Sequence, residues 1–110
     1  MKKPEHYAKL VFGLRWKKVD KLMEKGEQGE KLLLVQAMAA FGKTSDEGYN
    51  HLVEHMQKAT DKTVKIEAIK GLASTGRSAA LTQLNFIVDH NEDAELVKVA
   101  QECIAGFKKA

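Results

Sequence analysis

Cysteine is nearly missing from this 110-residue chain, in which Cys103 stands alone. One thiol closes no internal disulfide, so the fold has to hold by packing, and nothing in it calls for an oxidising compartment. Proline is equally scarce: Pro4 is the only one, at a position where a helix start tolerates it. Long apolar runs are absent too. After Met1-Lys2-Lys3, a leader-like stretch is interrupted by Pro4, Glu5, His6 and Lys9, and Leu10-Val11-Phe12-Gly13-Leu14 is too short to replace it. No segment approaches the roughly 20 apolar residues that cross a bilayer. A cytoplasmic protein without membrane insertion is expected. Aromatic residues are few, and Trp16 is the only tryptophan.

What remains is rich in Ala, Leu, Lys and Glu, the residues that favour helix. An apolar fraction of 44% with 30% charged residues describes a globular chain rather than a disordered one. A single domain of this size buries roughly two-thirds of its unfolded surface. The net charge of +3 is unevenly spread: residues 1–25 carry eight Lys/Arg against three acids, and residues 26–110 carry ten against twelve. The basic excess belongs to the N-terminal segment, where it hints at an anionic partner.

The pattern of apolar residues repeats. Ile66, Ile69, Leu72 and Ala73 share one helical face, and Gly76 is a natural left-handed stop. Ala80, Leu81, Leu84, Ile87 and Val88 then form a second helical stripe. Thirty-four residues earlier, Leu32, Val35, Met38, Ala39 and Gly42 take the same places. Tyr49, Leu52, Val53 and Met56 follow, after a turn two residues longer that offers Thr44, Ser45 and Asp46 as helix caps. Thirty-two residues later, Leu96, Val97, Ala100, Ile104 and Ala105 begin a third unit behind Asn91-Glu92-Asp93. That unit is only half present. Before the first, Ala8, Val11, Phe12 and Gly13 resemble Ala37, Ala40, Phe41 and Gly42, with Val19 and Leu22 in the places of Tyr49 and Leu52. Residues 5–25 are therefore either two helices broken near Gly13 or one helix with Gly13 inside it, at a cost of about 1 kcal/mol relative to alanine. The units run over 4–25, 29–57, 60–90 and 91–110 of one domain.

Val64-Lys65-Ile66-Glu67-Ala68-Ile69-Lys70-Gly71-Leu72-Ala73-Ser74-Thr75-Gly76, followed by Ala80 and Leu84, resembles a HEAT repeat of the short bacterial type. Val64-Lys65 and Val97-Lys98 stand where that family opens its first helix with a valine–arginine pair. The resemblance is good over 60–90, fair over 29–57 and 91–108, and weak before 25. It implies an all-α fold, a short right-handed α-solenoid of HEAT-like antiparallel helix pairs with six or seven helices. Lys43 and Arg77 occupy the positions after the turn glycine where the family places Asp, so its Asp–Arg ladder between units is not expected. Tetratricopeptide repeats share the period but want a glycine in the first helix with an aromatic three residues on, which Gly71-Leu72-Ala73-Ser74 lacks.

Several residues bear on chemistry. His51-Leu52-Val53-Glu54-His55 reads H-x-x-E-H, a spacing that lets two histidines reach one zinc ion in inverted-motif metalloproteases. Those enzymes need a distant third ligand in a larger domain, whereas the rest of this chain is occupied by the repeat. Leu52, Val53 and Met56 claim the core, which places His51, Glu54 and His55 on or near the wetter face. Cys103 lies on an apolar helix and reads as a small packing residue. Neither a catalytic residue nor a metal or cofactor is expected. Arg15-Trp16-Lys17-Lys18 forms a basic patch around an indole, although Trp16 also spaces with Val19 and Met23 as a buried stripe.

In the family the chain resembles, second helices line the concave face. Here they would display Asn50, His51, Glu54 and His55, then Thr82, Gln83, Asn85 and Asp89, while residues 46–57 and 78–90 carry almost no basic side chains. The expected function is non-catalytic recognition of a peptide or protein on that face. The alternative is a nucleic-acid-binding module that uses the basic N-terminal segment.

Overall fold

The computed structural model describes residues 1–109 and contains seven helices joined by short turns. They are α1 (Pro4–Phe12), α2 (Trp16–Lys25), α3 (Gln28–Gly42), α4 (Asp46–Lys58), α5 (Lys62–Ser74), α6 (Ser78–His90) and α7 (Ala94–Lys109). Ala110, the last residue of the final half-unit, lies outside the described residues.

The turns follow from local chemistry. Side-chain oxygens cap four helix starts: Glu30 accepts the Glu27 amide at 3.1 Å, Ser45 that of Gly48 at 3.0 Å, Asp61 that of Val64 at 3.1 Å, and Asp93 that of Glu95 at 2.9 Å. Residues 4–25 form two helices, not one. The Arg15 amide donates to the Leu10 carbonyl at 2.9 Å, and Leu14 turns the chain with φ of 60°. Gly76 takes the left-handed conformation expected of it, with φ of 72°.

Gly42 corrects the parallel drawn with Gly76. It is the last helical residue of α3 and has no positive φ. What it supplies is room, since a Cβ there would meet the Tyr49 backbone at 3.2 Å. The longer turn after it leaves the left-handed bend unnecessary.

Helices next in sequence pack together, and so do alternate ones: α3 lies against α1, α4 and α5, while α5 also touches α7 and α6 leans on α7. The apolar stripes on α3 and α5 are consequently broader than the repeat indicated. Leu34 and Ala37 join Val35, Met38 and Ala39, and Val64 and Ala68 join Ile69 and Leu72. At the far end Ala105 is exposed, outside the stripe expected for it. Tyr7, Val11, Val19, Leu52, Met56, Leu84 and Ala100 complete one continuous core. Each fully buried Leu, Val or Met contributes roughly 1.5–3 kcal/mol. The result measures 34 × 27 × 19 Å with a radius of gyration of 13.2 Å, as expected of a compact chain of this length. Among the described residues no helix is long and apolar enough to cross a membrane.

Polar contacts tie the same helices together at a regular interval. Gln28 donates to Asp61 at 2.9 Å, Lys62 to Glu95 at 3.1 Å and to Asp93 at 2.9 Å, and Trp16 to Glu47. Arg77 reaches the Gly42 carbonyl and the Asp46 carboxylate, both at 2.6 Å. All of these link residues 31 to 35 positions apart. An Arg–Asp contact between units thus exists after all, with Arg77 reaching back to the preceding turn.

Candidate functional site, the junction of α2 and α4

On α4, Leu52 and Met56 are buried one turn apart. His51 and His55 precede them by one residue each, so their stripe is rotated by about 100° to the border of the core. Helix α2 covers that border. Its Val19 is fully buried, which fixes the neighbouring Asp20 opposite the two imidazoles.

One oxygen of Asp20 lies 2.7 Å from His55 Nε2 and 4.0 Å from His51 Nδ1. A carboxylate only accepts, so His55 carries its proton on Nε2 in this arrangement. Trp16, one helical turn before Asp20, stacks on His51 with ring centroids 3.7 Å apart and planes 6° from parallel. The indole N–H donates to Glu47, which fixes the sheet-like stack from its other edge. His51 Nδ1 is buried without a hydrogen-bond partner. Ligand atoms of Asp20, His51 and His55 all fall within 4.8 Å of one another. Beside them opens a cavity of about 460 Å³, lined by Asp20, Met23, Glu24, Lys31, Lys58 and Asp61 among others.

Glu54, the acid of the H-x-x-E-H pattern, turns away from this cluster. It is exposed and accepts a 2.7 Å hydrogen bond from Lys58, which holds its carboxyl below the ordinary range and the Lys58 ammonium above its own. Cys103 is half-buried, and burial pushes its thiol up, away from thiolate chemistry.

The structure divides the face expected from sequence. Asn50, Glu54, Thr82, Asn85 and Asp89 are exposed, but His55 is only 6% exposed and His51 is half-buried. Of the three residues expected on or near the wetter face only Glu54 is exposed; His55 is buried because α2 packs over that edge of α4. In the basic patch, Arg15, Lys17 and Lys18 are exposed and border a shallow depression with Leu14, while Trp16 is committed to His51 and Glu47. Two members of this cluster were not anticipated from the sequence. Glu47 and Asp20 lie 31 and 35 residues from their partners Trp16 and His55, and no local pattern marks either. Phe86 is 61% exposed, and its spacing with Thr82, Asn85 and Asp89 places it in the same outer stripe of α6.

Comparison of the chain with protein families, curated proteins and solved structures returns no match. The side chains make two distinct features: a tied-down polar cluster between α2 and α4, and an open stripe on α6 with an aromatic ring at its centre.

Proposed function

We propose that the chain is a short right-handed α-solenoid of HEAT-like helix pairs that binds a peptide or protein segment on the outer faces of α4 and α6, without catalysis. The solenoid reading draws support from the packing of alternate helices and from polar contacts recurring every 31 to 35 residues. The binding reading rests on Phe86, a ring 61% exposed within a stripe of Thr82, Asn85 and Asp89. An exposed aromatic ring framed by polar side chains can serve as an anchor once a partner buries it. Gln57 of α4 donates to Gln83 of α6 at 3.4 Å, which joins the two faces into one surface. Neither helix carries Lys or Arg between residues 46–57 or 78–90, so the fitting partner presents an apolar side chain flanked by basic ones.

A photo-crosslinking residue placed at position 85 tests this in cells of the native host. Capture of a defined partner should be abolished by Phe86→Ala and weakened by Asp89→Lys, with the helical content of both variants unchanged. Capture that ignores both substitutions removes the α6 stripe from the reading.

A second reading, an anionic or nucleic-acid partner at the N-terminal segment, has the exposed Arg15, Lys17 and Lys18 in its favour. Trp16, however, is stacked on His51 and bonded to Glu47, and so is withheld from stacking on bases. Binding to random-sequence RNA or DNA that falls steeply with salt, and is lost on reversing these three charges, would move the function to this end of the molecule.

A further inference from the structure

We propose that Asp20, His51 and His55 form a binding site for one divalent transition-metal ion of the zinc class. The site joins α2 to α4 and stands apart from the α4–α6 docking surface.

Three observations converge on it. The first is the donor set, two imidazoles and a carboxylate, which suits zinc and its neighbours and not the all-oxygen preferences of magnesium or calcium. The second is geometry. Metal–ligand bonds of about 2.0–2.2 Å in a tetrahedron set the ligand atoms roughly 3.3 Å apart. The Asp20 oxygen stands 2.7 Å from one imidazole nitrogen and 4.0 Å from the other, and all three ligand atoms lie within 4.8 Å of one another. Small side-chain adjustments therefore bring the set to bonding distance. The third is the unpaired His51 Nδ1, a buried nitrogen facing Asp20 with no hydrogen bond to lose. Leaving such a group unpaired costs about 1–3 kcal/mol, which a metal bond would remove.

The surroundings fit the role. Trp16 lies flat on His51 and restricts the imidazole plane, as an outer partner does around a metal ligand. Three protein ligands leave a fourth position, and the cavity bordered by Asp20 and His55 gives water or a small anion access to the cluster. On binding, the His55 proton moves from Nε2 to Nδ1 by exchange with solvent, which frees the Nε2 lone pair for the ion and leaves the imidazole neutral. Because the ligands come from two helices, the bound ion pins the N-terminal helix pair to the rest of the fold and stabilises it by mass action.

The sole tryptophan reports on the site directly, since its ring is stacked on a ligand. The full chain, stripped with a chelator, is titrated with Zn²⁺ by calorimetry and with Co²⁺ by Trp16 fluorescence. One ion per chain is expected at a Kd of about 10 µM or tighter, with Co²⁺ quenching reversed by Zn²⁺. His51→Gln and Asp20→Asn should each weaken binding at least about tenfold. Asp20 is half in water, so Asp20→Asn keeps the fold even if His51→Gln does not. The double variant His6→Gln/His90→Gln, which removes the other two histidines, should bind as the parent does. Weaker binding by the parent chain, equal binding by Asp20→Asn, or loss in the His6/His90 variant overturns the proposal.

Discussion

The helices of this chain meet in two different ways. Between α3 and α5 the contact is close and dry: a Cβ on Gly71 would sit 3.1 Å from that of Ala39, with Leu72 and Ile69 fully buried alongside. Between α2 and α4 the helices meet through long side chains, Trp16 on His51 and Asp20 against His55. The first junction is set by small residues at the crossing, and its polar groups, such as Gln36 paired with Glu67, stand at the exposed rim. The second keeps carboxylate and imidazole groups at the edge of water, held by packing yet reachable.

The largest expected effect tests the dry side. Leu72→Ala should cost about 2–5 kcal/mol, read from the urea midpoint, because nothing around a fully buried leucine can collapse freely. Gly71→Val should follow at about 1–3 kcal/mol, through overpacking against Ala39 and Leu52. Asp20→Asn at the wet junction should cost no more than about 1 kcal/mol in the same assay, since the carboxylate is half in water. If it rivals Leu72→Ala, the contrast between the junctions fails. Ser45→Ala, which removes a cap common to neither junction, should cost about 1 kcal/mol and calibrates the series.

The smallest effect is a dependence on pH. Glu30, Asp61 and Asp93 are held below the ordinary carboxylate range, by the Glu27 amide, the Val64 amide and Lys62 respectively. Their contribution is present above the unfolded value near pH 4 and fades as pH falls through the lower folded values. Lys62, raised first by Asp93, contributes below the ordinary lysine value near pH 10.4 and loses that contribution as pH rises through its higher folded value. The urea midpoint should therefore be flat through neutrality and drop at both extremes. Asp93→Asn should soften both edges.

The helices and most of their ends could be read from the chain because the signals are local. Gly76 stops α5 by its own conformation, and Ser45 and Asp61 cap helices within three residues of themselves. Gly42 has the same identity as Gly76 but serves close approach to Tyr49, a fact that only the partner helix reveals. The candidate site shows the same limit. His51 and His55 were visible as a pair because helical spacing fixes them. Asp20 was not, since its partnership depends on how α2 settles over α4. The width of the buried faces on α3 and α5 escaped for a related reason: a stripe pattern records one neighbour, and these helices have several.

The polar contacts between units act as a ruler. Those of Gln28, Lys62 and Arg77 span 31 to 35 residues and involve residues at helix starts, so for them the interval is counted in turns as well as in packing. An insertion of a few residues in the α4–α5 turn would put Gln28 out of reach of Asp61, whereas an added block of one full interval would return every donor to an acceptor of the same kind. Spacing along the chain therefore matters as much as residue identity, because each of these contacts needs its partner at a fixed remove.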